Sequence, residues 1–308
     1  MSLTTVTDKR FSTMIIVKNI KRYGIVALML LCLGCRPEYT TYQGDTYIMF
    51  SSESHTLPIM DSEEWFEIPI SATRAVSSDL TIGVEVVANE SSAIEDREFV
   101  IESNTVTIPA GELTTAVRIK GISEAIPVNS NLTIKLRLVL DQENVWEEYG
   151  TDTTVTLQRC CPMDINAFTG YAVLTSTWCM QYMNTDSRLV RTSLDPESQN
   201  RIIIEDMYYE GYDIALTLND DDPLNPIATM GEEQVVGATG EAFGTIYGNG
   251  KLMVTEPAGY TSYYSTCEGF VVLYSLIYVD GVGSVGTYVN IIEWISDDEA
   301  ERIMREGF

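Results

Sequence analysis

The segment Leu132-Thr133-Ile134-Lys135-Leu136-Arg137-Leu138 alternates apolar and polar residues without a break. A β-strand points successive side chains to opposite faces, so such a run has one oily face and one wet face. Similar period-2 stretches recur along the chain, while helical spacing is nearly absent. Turn residues interrupt them about every eight to twelve positions, which points to antiparallel sandwiches or barrels. The first half is predicted to hold strands at Thr46–Ser51, Trp65–Ala72, Leu80–Val87, Thr105–Ile108, Thr114–Ile119, Leu132–Leu140 and Thr153–Leu157. The second half reads as strands at Tyr171–Ser176, Leu189–Thr192, Arg201–Glu205, Tyr212–Leu218, Gln234–Val236, Gly244–Tyr247, Lys251–Val254, Phe270–Val279 and Val285–Ile295. With 308 residues, 45% of them apolar, the chain is long enough for two packed cores. The expected layout is a leader (1–34), a linker (35–45), a sandwich (46–159), a second antiparallel β domain (160–296) and a charged tail (297–308). That tail reads as either a short helix or a frayed end.

The leader has its own logic. Lys18, Lys21 and Arg22 precede the apolar run 24–33, which ends at Gly34-Cys35. The run is too short to span a bilayer, which takes about 20 residues. A basic flank, a short apolar stretch and a small residue before the break are the parts of an export signal. The arrangement resembles a bacterial lipoprotein signal. Gly34 and Cys35 match the last two lipobox positions, whereas Cys32 and Leu33 depart from the first two. The resemblance implies cleavage before Cys35, a lipid on that cysteine, and a membrane partner reached through the lipid. An ordinary cleaved signal peptide and a short buried helix are the alternatives.

Charge narrows the partners. The chain carries 45 acidic and 19 basic residues, a net charge of −26. Five of the basic residues (Lys9, Arg10, Lys18, Lys21 and Arg22) but only one acid, Asp8, fall in the leader, so the body is more acidic still. Such a body repels phosphate backbones and lacks the basic stripe of a nucleic-acid binder. Beyond Cys35 the cysteines are Cys160, Cys161, Cys179 and Cys267. Export would let disulfides persist. Cys179–Cys267 is one candidate bridge, either neighbour of the pair Cys160 and Cys161 with Cys267 is another, and four buried thiols are the alternative. No zinc site is expected, because the body has no Cys-x-x-Cys and the chain has a single histidine, His55.

A family resemblance covers residues of about 40–158. Ser92-Ala93-Ile94-Glu95-Asp96-Arg97-Glu98-Phe99, Thr105-Val106-Thr107-Ile108-Pro109-Ala110-Gly111-Glu112 and Thr115-Ala116-Val117-Arg118-Ile119 together resemble the Calx-β pattern. The resemblance implies an immunoglobulin-like sandwich. Calcium-binding members gather carboxylates after the returning strand. Here that segment is Gly121-Ile122-Ser123-Glu124-Ala125-Ile126-Pro127, with only Glu124 left, so the ion site does not carry over. The second half, from Cys161-Pro162 through Phe168-Thr169-Gly170 to a long glycine-punctuated hairpin, is similar to the C-terminal domain of Bacteroides-type lipoproteins. That similarity implies a β-meander sandwich or barrel and a setting in outer-membrane polysaccharide uptake.

Motifs for chemistry are sparse. Gly281-Val282-Gly283-Ser284-Val285-Gly286 has dinucleotide-loop spacing, but a strand pattern follows it, so it reads as a hairpin turn and no cofactor is expected. Asp220, Asp221 and Asp222 sit in one loop as weak metal candidates, with a solvated turn as the plainer reading. His55 lies in the polar stretch 51–56 and reads as a surface histidine. No Gly-x-Ser-x-Gly elbow occurs. Tyr208, Tyr209 and Tyr212, and likewise Tyr260, Tyr263 and Tyr264, border turns. They are candidates for stacking on a sugar or anchoring a protein, with packing inside a sheet as the alternative. Trp146 and Tyr149 near the junction read the same way. The expected function is therefore non-catalytic: recognition of a glycan or an outer-membrane partner by a lipid-anchored envelope protein. A strand-to-strand adhesive subunit is the alternative, and a carboxylate-based glycosidase ranks last.

Overall fold

The computed structural model describes residue 42 and residues 44–60, 63–128, 130–141, 144–146 and 150–308. Cys35 and Tyr149 lie outside the described residues. Residues 46–308 form one compact unit with two separate hydrophobic cores.

The first core lies between two sheets. One contains β1 (Ile48–Phe50), β3 (Phe66–Ala72), β7 (Thr114–Gly121) and β5 (Phe99–Ile101), paired in that order. The other runs β2 (Ser54–Ile59), β9 (Asp152–Arg159), β8 (Asn131–Val139), β4 (Leu80–Val86) and β6 (Thr105–Ile108). The alternation in β8 works as the sequence demands. Ile134, Leu136 and Leu138 are buried, and Arg137 on the wet face grips Asp152 of β9 through two hydrogen bonds of 2.9 and 2.8 Å. Pro109–Glu112 is a turn as expected; it carries the chain from β6 of one sheet to β7 of the other, with Gly111 at φ 86°. Inside the Calx-β-like stretch, Glu98 is buried and accepts from the Ile94 N–H (2.7 Å) and from Arg97.

β2 and β5 are missing from the sequence-derived strands. β2 begins with polar Ser54, His55 and Thr56 and contains Pro58, and it pairs in parallel with β9 at the sheet edge. Edge strands tolerate proline and need no long apolar run. His55 is therefore in a strand rather than in a surface loop. Its Nε2 is buried without a partner, and burial lowers its pKa.

The second core is enclosed by a barrel. Its strands are β10 (Gly170–Ser176), β11 (Ser187–Leu194), β12 (Arg201–Glu205), β13 (Ile214–Asn219), β14 (Ile227–Thr229), β17 (Tyr263–Ser265), β18 (Phe270–Val279) and β19 (Gly283–Trp294). Each pairs with the next, and β19 closes the ring onto β10, so eight strands form a circle. β18 has room for a second neighbour. Its first residues pair with β17, and its last ones pair with β16 (Lys251–Thr255), which carries β15 (Gln234–Ala238). β15 reaches β13 through a side chain: Gln234 accepts from the Ala215 N–H at 2.8 Å and donates to the Ala215 carbonyl at 2.9 Å. The glycine-rich spacing at Gly281–Gly286 is the β18–β19 hairpin, as the sequence reading has it.

Large side chains fill the barrel. Helix α1 (Thr177–Tyr182) follows β10, capped by Ser176, and inserts Trp178 against Tyr288 at 5.0 Å and Tyr208 at 5.9 Å. Helix α2 (Thr239–Phe243) ends at Gly244, whose φ of 68° terminates it. The expected strand Gly244–Tyr247 is thus the turn leaving this helix. The tail is a helix, α3 (Asp297–Glu306), with Ser296 as cap and three acids in its first turn. Among the described residues, no helix is long and apolar enough to cross a membrane.

One disulfide joins Cys161 to Cys267, with Cα atoms 5.2 Å apart. This corrects the Cys179–Cys267 candidate. Cys179 is held on α1 inside the barrel as a buried free thiol, and Cys160 is likewise free and buried. The bridge ties the segment entering the barrel to the turn between β17 and β18.

Candidate binding cleft

β17 sets the site. Its residues alternate, so Tyr263 is 44% exposed while its neighbour Tyr264 is 2% exposed and reaches into the barrel. Beside Tyr263, the first residue of β18, Phe270, meets it edge-on with ring centres 6.2 Å apart. These rings form one wall of a cleft of about 1180 Å³ at the foot of the barrel. The opposite wall belongs to the sandwich and includes Asn131, Gln158 and Arg159. The lining also includes the Cys161–Cys267 bridge and the turn holding Asp220, Asp221 and Asn225. The volume suits a small ligand or a few sugar rings, and binding sites of this kind favour junctions between packed units.

The polar groups differ in how far they are already engaged. The Asp220–Asp222 turn is built from internal hydrogen bonds. Asn219 donates to Asp221 at 3.0 Å, and Asp222 accepts from the Leu224 N–H and from the Asn225 side chain. These bonds, the Asn225 side chain first, hold the Asp222 carboxyl below its ordinary value. The three carboxylates do not converge. Among the described residues no group of three His, Cys, Asp or Glu side chains is placed to hold a metal. Arg159 donates to the Ile126 carbonyl at 3.4 Å. The Tyr264 hydroxyl is buried without a hydrogen-bond partner. Burial, with the Asp220 charge adding to it, pushes that phenol up to about 12.

The structure therefore splits the tyrosine candidates. Tyr263 lines the cleft with an exposed ring, whereas Tyr264 borders it from the next position of β17 with its side chain in the barrel core, correcting the expectation that it presents a binding surface. Tyr260 is exposed outside it and leans on Tyr274 at 5.1 Å. Tyr208 and Tyr209 are core residues, correcting the expectation that they present a binding surface. Their turn folds over the barrel end, so Tyr208 donates to Asn290 at 2.5 Å and Tyr209 covers Gly237. Tyr212 is half-buried against the same core. Trp146 stacks on Tyr47 at 5.6 Å. Phe270, Arg159, Gln158 and Asn131 were not singled out from the sequence. Each lies in a strand or at a strand end, where it reads as an ordinary sheet residue until the two cores are brought together.

Residues 148–306 match a protein family described as a domain of unknown function (DUF4984). No curated protein matches the chain. Among solved structures, the apo form of the Calx CBD1 domain is similar at 18% identity, over 38% of this chain and 98% of that one, with a TM-score of 0.32. A protein of unknown function from Bacteroides ovatus is similar at 8% identity over 80% of this chain and 89% of its own, with a TM-score of 0.34. A candidate carbohydrate binding protein from Bacteroides ovatus is similar at 11% identity, covering 79% of this chain and 74% of its own, with a TM-score of 0.31.

Proposed function

We propose, for a chain that belongs to the DUF4984 family, a non-catalytic role in binding a glycan within the cleft between sandwich and barrel. One observation carries this reading. The exposed Tyr263 and the edge-on Phe270 form an apolar corner of a cleft whose lining also includes Asn131, Gln158 and Asn225. A sugar ring has an apolar C–H face and a rim of hydroxyls. Aromatic faces take the first and planar amides pair with the second.

The leader completes the proposal. The protein is exported, anchored by lipid at Cys35, and displayed on the cell envelope at the outer membrane. Mass spectrometry of the native protein is expected to find an acylated Cys35 as the first residue; an intact leader without fatty acid would contradict this part. For the cleft, the full chain is screened in detergent against an array of plant, host and microbial glycans. A hit is expected, and Tyr263→Ala with Phe270→Ala is expected to abolish it while leaving the unfolding transition cooperative. Binding undiminished in that double variant would remove the cleft from the account.

A further inference from the structure

We infer that the cleft holds one stretch of a longer glycan chain, which continues out of it across the outer face of β18 to a second aromatic subsite at Tyr260 and Tyr274. This inference rests on the glycan reading above and specifies its substrate class: an extended polysaccharide rather than a short or terminal sugar.

The first support is the pleat of β18. Val271, Leu273 and Ile277 belong to the barrel core, so Phe270, Val272 and Tyr274 stand on the outer face. Tyr263 of β17 pairs with Val272 and shares that face, since its neighbour Tyr264 lies in the core. Phe270 and Tyr274 are separated by about 13 Å along the strand. Each carries a partner ring. Tyr263 meets Phe270 edge-on, and Tyr260 tilts by 40° against Tyr274 with ring centres 5.1 Å apart. One face of the sheet thus presents two aromatic platforms in line, across a span of several sugar rings. None of these positions carries a charge. Successive units of a sugar chain offer apolar C–H faces in a line, which is what two such platforms can take.

The second support is continuity with the cleft. Tyr260 is 57% exposed, and the next residue, Thr261, lines the cleft. The wall that holds Tyr263 therefore leads directly to Tyr260. The segment between them is fastened on both sides. The Ser262 hydroxyl accepts from the Tyr274 N–H at 2.9 Å, and the Ser262 carbonyl accepts from the Ala228 N–H at 3.0 Å. An exposed ring on a backbone already tied to β18 and β14 loses little freedom when a ligand settles on it.

The test is calorimetric titration of the full chain in detergent with disaccharides, tetrasaccharides and hexasaccharides of the cello-, manno- and xylo-series. Affinity for the best series is expected to rise by about tenfold or more from disaccharide to hexasaccharide. Tyr260→Ala is expected to weaken the hexasaccharide about three- to tenfold, to leave the disaccharide unchanged and to keep the unfolding temperature. Tyr274→Ala is expected to give the same split, and Tyr263→Ala to weaken both lengths. Equal affinity at all lengths, or hexasaccharide binding unchanged in Tyr260→Ala, would overturn this inference and leave the glycan reading standing; an outer face that serves a protein partner would give that result. Binding to no probe would overturn both.

Discussion

Asn290 has the most demanding side chain in the barrel. It is fully buried on β19, yet all its polar capacity is used. Its oxygen accepts from Ser176 at 2.7 Å and Tyr208 at 2.5 Å, and its amide donates to the Leu273 carbonyl at 3.1 Å and to Ser275 at 2.9 Å. These bonds connect β10, the turn before β13, β18 and β19 at the seam where the barrel closes. Replacing Asn290 by Ala takes a hydrogen-bond partner from four hydroxyl or carbonyl groups and opens a void. The expected cost is about 3 kcal/mol, read as a lower midpoint in denaturant unfolding. A Tyr208→Phe variant, which removes only one member of the cluster, is expected to cost about 1 kcal/mol. Gly237 makes a different demand. A Cβ there would stand 2.5 Å from the Tyr209 ring, so Gly237→Ala is expected to shift that ring and destabilise the protein by about 1–3 kcal/mol.

At the level of elements, Gln234 acts as a piece of strand. Its amide exchanges both hydrogen bonds with Ala215 and so continues the ladder from β15 to β13 where backbone pairing is missing. Gln234→Leu is expected to cost about 1–2 kcal/mol and to raise hydrogen exchange at the Ala215 amide. Elements with strong internal pattern were legible from the sequence. β6, β12 and β18 fall on their predicted ranges, and β8 is displaced by one residue at each end. β14 and β17 were not legible, because three residues carry too little pattern. α1 was missed because Trp178 and Cys179 look like strand residues, and only the Ser176 cap marks the change of period. The site was half legible. Tyr263, Tyr264 and Asp220 stood out as turn-flanking residues. Tyr208 and Tyr209 looked the same in sequence and turned inward, since local spacing does not say which turn folds over a barrel end. Phe270, Arg159 and Gln158 join the cleft only through the meeting of sandwich and barrel.

Over the whole molecule, the Cys161–Cys267 bridge spans 106 residues, nearly the length of the barrel. Closing so long a loop lowers the entropy of the unfolded chain, an effect worth about 5 kcal/mol in the chain-entropy account. Replacing both cysteines by Ser is expected to lower stability by about 2–5 kcal/mol and to weaken glycan binding, because both cysteines line the cleft. pH acts from both ends. Burial first, and then Asp220, raises Tyr264 to about 12, and burial also raises Tyr208 and Tyr288. A raised folded-state pKa contributes stability in full below the ordinary phenol value of 10.0, and that contribution is lost as pH climbs through the folded value. Thermal unfolding temperature is therefore expected to decline between about pH 10 and 12, alongside the rise of tyrosinate absorbance. At the acid end, Asp152 is lowered first by its hydrogen bond from Arg137. Glu98 is lowered because the Ile94 and Arg97 contacts outweigh burial. Their contributions are present above the ordinary carboxyl values of 3.8 and 4.5 and fade as pH falls below them.

The central claim is that a glycan occupies the cleft between sandwich and barrel. A crystal structure of the protein with the tightest-binding oligosaccharide from the glycan screen tests it most directly. The account predicts a sugar ring packed into the corner of Tyr263 and Phe270. Sugar density against Tyr260 and Tyr274, or on the sandwich loops, with this corner left to solvent, would contradict it.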